Sequence, residues 1–290
     1  MATPLVLDLD GSLAGLREAS FLPLAEWQEA IRFGCGMGVW RAFEKALAAQ
    51  MPEDYGTVFL GSGDFHHLSH LLLKRLRYSG PFDMVVFDNH PDNMRFPFGI
   101  HCGSWVRHAA RLPGIRTIHV LGICSGDVGL AHAWENHLLP LYRGRVRYWT
   151  IGVDTGWAQA VGLGKSVRRF DTGDALIEAF TAQQRREDIP VYLSIDKDVL
   201  APEVARTNWD QGELDLEQVG RIIESLAGRL VGSDITGEIS IYRYRAAWKR
   251  WLSALDDQPA IPEDILAAWQ AQQMAVNRRL LAWIEAAYRR

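Results

Sequence analysis

Short apolar runs that stop at Asp, Glu or Gly recur along the chain: Leu5–Asp10, Thr57–Gly61, Met84–Asp88, Thr117–Gly122, Val146–Gly152, Val191–Asp196 and Leu230–Glu238. Rich in Val, Ile, Leu and Phe, they read as strands buried on both faces of a parallel sheet. Between them, apolar residues return at helical spacing in Leu68–Arg77, Gly103–Arg111, Asp174–Arg185 and Leu216–Leu226. Strand and helix in alternation predict an α/β fold: three layers, helix–sheet–helix, around a doubly wound, mostly parallel sheet. The stretch from Ile261 to Arg290 opens with Pro262-Glu263-Asp264 and ends in arginines, which predicts a long C-terminal helix charged to suit its dipole. No linker, repeat or low-complexity tract interrupts the pattern, so residues 1–290 are expected to form a single domain.

Ligands of open parallel sheets bind beyond the carboxyl ends of the strands, so the polar residues closing each run are where chemistry is sought. Met84–Phe87 leads into Asp88-Asn-His90-Pro-Asp92. In an extended segment alternate side chains share a side, so Asp88, His90 and Asp92 are expected to converge. Val191–Ile195 leads into Asp196-Lys-Asp198, where the two aspartates share a side and Lys197 points the other way. Four carboxylates in one place would repel strongly, and two divalent cations would neutralise them. A third segment, Gly61-Ser-Gly-Asp-Phe-His66-His67, offers a tight turn and a histidine at a helix start.

Taken in chain order, these segments resemble the arginase/agmatinase (ureohydrolase) superfamily, whose pattern is a Gly-Gly-Asp-His turn, an Asp-x-His-x-Asp strand end and a Ser-x-Asp-x-Asp strand end. Here Gly61–His66, Asp88–Asp92 and Ser194–Asp198 stand in that order. The resemblance implies an arginase-like fold and a binuclear hydrolase that cleaves a carbon–nitrogen bond of a small guanidino or amide compound. It implies that His66, Asp88, Asp92 and Asp196 hold one ion, and Asp88, His90, Asp196 and Asp198 the other. An oxygen-rich shell with histidine favours two manganese ions, which would activate a water for attack on a trigonal carbon. His66 is taken as the ligand because Leu68 and Leu72 then fall on buried positions; His67 becomes a neighbour or cap. The resemblance also implies that His101 of Gly99-Ile-His101-Cys-Gly103 moves protons. Glu238 of Gly232-Ser-Asp234-Ile-Thr-Gly237-Glu238 would face a cationic substrate group.

The departures concern the substrate. The family often has Asp-Pro after the second aspartate pair, where this chain has Ala201-Pro202, and the next loop is replaced by Thr207-Asn-Trp-Asp210-Gln-Gly212. Three rival readings remain. Leu5-Val-Leu-Asp8-Leu-Asp10-Gly11 resembles the opening motif of dehalogenase-type phosphatases, with Asp8 as nucleophile and Asp10 as acid/base. That reading lacks a second acidic motif at Gly126-Asp127 and leaves the other carboxylates idle. A single-metal amine deacylase of the related fold would not need so many carboxylates. An inactive metal-binding relative is the third.

Composition narrows the partners. Hydrophobic residues are 48% and charged residues 23% of the 290, the balance of an ordinary globular protein. A net charge of −4 draws the chain neither to nucleic acid nor to an anionic membrane, and no apolar stretch is long enough to span one. Three cysteines without paired spacing, and no signal-like N-terminus, lead us to expect the cytoplasm. Eleven tryptophans suit buried aromatics or a self-association surface, so a homo-oligomer stays open.

Overall fold

The computed structural model describes residues 2–250 and 261–289. Met1, Arg290 and residues 251–260, which the expected domain includes, lie outside the described residues, and with Arg290 the last position of the expected C-terminal helix. The strands in chain order are β1 (Leu5–Asp8), β2 (Ser20–Pro23), β3 (Gly34–Cys35), β4 (Val58–Phe59), β5 (Phe82–Phe87), β6 (Ile100–His101), β7 (Ile115–Ile123), β8 (Val146–Ile151), β9 (Val167–Phe170), β10 (Val191–Asp196) and β11 (Leu230–Thr236). Nine of them form one sheet in the order β2-β1-β4-β11-β10-β5-β7-β8-β9. Every pairing in it is parallel. The short β3 and β6 pair antiparallel beside it.

Neighbouring residues of a strand pack into different cores, which makes the fold three-layered. Leu5 and Leu7 of β1 join one hydrophobic cluster with Met84 and Val86 of β5. Val6, Val85 and Phe87 join the other, with Leu193 and Ile195 of β10. Both faces are therefore covered, as a parallel sheet requires. The fold is α/β, with helices flanking the sheet and a C-terminal helix over Glu263–Arg289. That helix lies on the helix Leu216–Ser225, where Trp283 packs so closely over Gly220 that a Cβ would sit 3.0 Å from its ring. Among the described residues no helix is long and apolar enough to cross a membrane.

Two strands of the main sheet, β2 and β9, are absent from the sequence reading. Both are edges, and β2 is exposed along most of its length, so neither carries an unbroken apolar run.

One core histidine gives the fold a measurable acid sensitivity. His119 of β7 is 1% exposed and accepts a hydrogen bond at Nδ1 from Trp149 Nε1 (3.2 Å). Burial, aided by Arg147, Arg168 and Arg116, pushes its pKa down to about 3. The unfolded chain takes up a proton near pH 6.5 that the folded chain refuses until about 3, so folding loses stability as pH falls through that window. The upper limit is about 1.4 kcal/mol per pH unit. Melting temperatures between pH 7 and 5 are expected to fall more steeply for the parent than for His119→Gln. Parallel slopes would show that His119 contributes nothing.

Candidate metal centre

The four central strands β4, β11, β10 and β5 are neighbours, and the three polar motifs follow the carboxyl ends of β4, β5 and β10. After β4, Gly61 takes a positive φ of 87°, which lets the chain turn against the Asp10 carboxylate. Ser62 Oγ then accepts from the Asp64 N–H (3.3 Å) and opens a 3₁₀ turn, Gly63–Leu68, that carries His66 inward. The paired motifs are built by aspartate-capped turns rather than by strand alternation. Strand β5 ends at Phe87, and Asp88 Oδ1 accepts from the His90 N–H (2.7 Å). Likewise Asp196 Oδ1 accepts from the Asp198 N–H (3.1 Å) at the start of the turn Lys197–Val199. In each case an acidic side chain bonds the backbone two residues on, which brings side chains i and i+2 together. Asp92 reaches the same place through a left-handed backbone (φ 46°), a conformation that costs free energy for a residue with a Cβ.

The result is a tight acidic cluster. His66 Nδ1 faces Asp88 Oδ2 at 3.1 Å, Asp92 Oδ2 at 3.2 Å and Asp196 Oδ2 at 3.3 Å. His90 Nδ1 faces Asp198 Oδ2 at 3.0 Å and Asp88 Oδ1 at 3.6 Å. Two sets, His66 with Asp88 and Asp196, and Asp88 with His90 and Asp198, bring their ligand atoms within 4.8 Å of one another. Asp92 is held from behind, accepting from Trp105 Nε1 at 2.6 Å. The six residues expected as ligands are thus brought together. His67 is not among them; it is buried against Trp40 (5.4 Å between rings), and neither of its nitrogens is hydrogen-bonded.

Charge and hydrogen bonding fit divalent cations. His66 Nδ1 and Asp88 Oδ2 are buried with no hydrogen-bond partner, although three carboxylate oxygens crowd that one nitrogen. Buried polar atoms left in this way are costly unless a cation engages them. Burial alone would lower His66, but Asp88, Asp92 and Asp196 hold its pKa well above the ordinary value. Burial and the Asp88 charge push Asp92 up to about 7 and Asp198 up to about 6. Burial also raises Asp196, with Asp198 adding to it. Burial works the same way on Asp88, yet His66 and His90 hold it down to about 2. Without positive charge, the carboxylates cannot all ionise at neutral pH.

Groups outside the cluster orient His66. Its Nε2 lies 3.0 Å from Ser194 Oγ, which donates to Asp234 Oδ1 (2.7 Å). Asp234 also accepts from Ser69 Oγ (3.0 Å) and Tyr192 OH (2.7 Å). An ionised carboxylate only accepts, so Ser194 must donate to it and can accept only from His66 Nε2–H. Nδ1 is then the nitrogen that faces the cluster, where a cation could take the place of a proton. Sequence reading missed Ser194 and Asp234 in this role, although both stand inside the quoted motifs.

A cavity of about 480 Å³ opens over the cluster, lined also by Phe33, Arg95, Phe96, His101, Asp127 and Trp209. His101 stacks on Phe33 (5.6 Å, 8°), Phe33 stacks on Trp209 (6.2 Å, 8°), and Phe96 meets the His101 ring edge-on (4.3 Å). Phe33 holds this position at φ 68°, a strained backbone for a bulky residue. The Gly103 N–H donates to His101 Nδ1 (2.8 Å), so the neutral ring carries its proton on Nε2. Burial, with His108 nearby, lowers the His101 pKa to about 4 and keeps the ring neutral.

Glu238 does not line this cavity. Its carboxylate is paired with the buried Lys197 ammonium and accepts from Asn277 Nδ2 (2.7 Å). The intervening Gly237 sits at φ 87°, and a Cβ there would collide with Asp196 Oδ1. The residue expected to receive a cationic substrate thus has an internal cation. Asp8 and Asp10 also lie outside the cavity lining. Asp8 accepts from Gly11 N–H (3.1 Å), while Asp10 accepts from Ser62 N–H (3.1 Å) and Ser240 Oγ (2.8 Å). They make turns and ties, as a strand end with Gly11 would, and the phosphatase reading is not favoured.

The arginase family model matches residues 31–240, a span that includes the three motifs of the cluster, His101 and Glu238. This chain belongs to the arginase family. An uncharacterized protein of Thermotoga maritima is 31% identical over 189 residues, which are 65% of this chain and 60% of that protein's length. Among solved structures, the arginase-family chain is similar to the agmatine ureohydrolase of Thermoplasma volcanium, with a TM-score of 0.59 at 16% identity, covering 99% of this chain and 92% of that one. It is similar too to the formimidoylglutamase of Bacillus subtilis (0.53 at 16%, covering 97% and 86%). These two likenesses speak for the fold. With family and fold shown, the chain is a divergent ureohydrolase-superfamily member whose Asp and His groups are able to hold metal.

Proposed function

We propose that this arginase-family chain is a binuclear metal-dependent hydrolase that cuts a carbon–nitrogen bond of a small guanidino or amide compound on one α/β domain. The observation that carries the reading is the buried Nδ1 of His66, unpaired among three carboxylate oxygens, beside a second group of Asp88, His90 and Asp198. His66, Asp88, Asp92 and Asp196 would hold one ion, and Asp88, His90, Asp196 and Asp198 the other, with manganese favoured by the oxygen-rich shell. When bound, such ions supply Lewis-acid activation of water and neutralise the carboxylates. The chain's own residues do the rest. Asp92 and Asp196 are held by Trp105 and by the turn at Asp198, so the shell is set before substrate arrives. His101 presents Nε2–H from a ring fixed by Phe33, Phe96 and Gly103, suited to donate a hydrogen bond where the leaving nitrogen gains charge. The aromatic wall excludes water on that side. With Glu238 occupied by Lys197, a cationic substrate would find Asp127 of the cavity lining instead.

The test is elemental analysis of manganese-reconstituted protein, then an ammonia- and urea-release screen over guanidino compounds and amides. Two equivalents of metal with turnover on one class are expected. Zero metal after reconstitution with manganese, cobalt, nickel and zinc would end the proposal. Chelation is expected to lower the melting temperature and added metal to restore it, because an ion that binds only the folded state stabilises it by about 2.7 kcal/mol at a hundredfold excess over Kd. An unchanged melting temperature, in protein shown to have lost its metal, would count against the site.

A further inference from the structure

One nitrogen of a neutral histidine is a donor and the other an acceptor, so whatever engages one nitrogen decides what the other can do. For His66 that choice is made inside the sheet, through Ser194 and the fully buried Asp234. For His90 it is made at the cavity mouth. His90 Nε2 lies 2.8 Å from Oδ1 of Asp210, a side chain 65% exposed on the loop that departs from the family pattern. Asp210 is itself anchored. Asn89 Nδ2 donates to its Oδ2 (3.0 Å) and to its backbone carbonyl (3.1 Å), while Asn89 Oδ1 accepts from the Cys124 N–H (3.1 Å). Two residues on, the Gly212 N–H donates to the Asp198 carbonyl (2.7 Å). The loop is therefore tied to both turns that supply the His90 half of the cluster, and Trp209 closes against the His90 ring at 5.8 Å.

We infer that Asp210 is a positioning residue for His90, fixing the tautomer that turns Nδ1 toward Asp88 and Asp198, and that the two ion positions are therefore unequal. The inference rests on the two-metal reading above. A carboxylate accepts and cannot donate, so the Asp210 contact requires Nε2–H, and Nδ1, now 3.0 Å from Asp198 Oδ2, is the nitrogen on which a cation could replace a proton. Groups of this kind typically change metal affinity by about ten- to a hundredfold. The His66 position is backed by a chain of buried hydrogen bonds, whereas the His90 position is backed by one exposed carboxylate that solvent screens. The ion at His90 is accordingly the weaker and the first to leave.

Calorimetric titration of the metal-free protein with manganese tests this. The parent is expected to bind in two steps of different affinity. Asp210→Asn and Asp210→Ala should weaken the weaker step by about ten- to a hundredfold, leaving the stronger step and the metal-free melting temperature unchanged. Asp210→Glu should recover part of the loss, and His90→Ala should strike the same step. Two steps in the parent that neither variant shifts by more than about twofold, or that fall together, would overturn the inference while leaving the two-metal reading intact. A parent that takes up no ion would overturn that reading and this inference with it.

Discussion

Replacing Asp88 by alanine is expected to empty both ion positions and to reduce turnover by about 10³-fold or more, since a bound ion is worth several kcal/mol and each 1.4 kcal/mol is a factor of ten. Asp88 belongs to both ligand sets, with Oδ2 beside His66 Nδ1 and Oδ1 beside His90 Nδ1. Its Oδ1 also accepts from the His90 N–H, so alanine removes the cap that forms the turn. Asp88→Asn separates these effects, because an amide oxygen can still cap the turn but brings no charge. Asparagine is expected to fold as the parent does and still to bind metal poorly. Metal analysis of both variants after reconstitution is the check, and two equivalents retained by Asp88→Ala would sink the assignment.

The second large effect is expected at His101. His101→Ala should keep the metal and lose about 10²–10³-fold in turnover, the usual cost of one preorganised donor. The ring contributes no charge at neutral pH, since burial holds its pKa at about 4, and its Nδ1 is engaged by Gly103. A donor role predicts partial rescue by His101→Gln, which can supply an N–H, whereas a ring that shuttles protons would not be rescued by an amide. Asp8→Asn serves as the control, because Asp8 contacts the Gly11 N–H at the edge of a turn and should leave turnover near the parent value. Turnover of p-nitrophenyl phosphate that Asp8→Asn abolishes and His101→Ala spares would reverse the reading.

The parts of the fold and site that were legible owe it to local cause. Strands β5 and β10 are buried at every position, so their composition alone marked them. Strand β9 has few buried positions and two arginines, so it offers no apolar run. The helix Met37–Gln50 did carry a signal, with Trp40, Phe43 and Leu47 buried at helical spacing, and was passed over. Within the centre, Asp88, His90, Asp92, Asp196 and Asp198 were legible because each lies within a few residues of a strand end. Asp210, Asp234, Phe33 and Trp209 were not legible as site residues. Their roles depend on contacts across long separations, such as Asn89 with Asp210, that no local pattern encodes. Glu238 shows the same limit in reverse. Its position followed the motif, but its partner, Lys197, depends on how Gly237 turns the backbone.

The hold of the C-terminal helix on this region couples the cluster to residues far along the chain. Gln273 Nε2 donates to the Gly237 carbonyl (2.9 Å), and Asn277 bridges Glu238 and Lys197, the residue that follows Asp196. Every residue proposed to grip an ion lies between positions 66 and 198, yet the Lys197–Glu238 pair next to Asp196 in the chain is completed by Asn277, far later in the sequence. Under the two-metal reading, weakening this contact by Asn277→Ala is expected to lower metal content, which elemental analysis of the reconstituted variant would report.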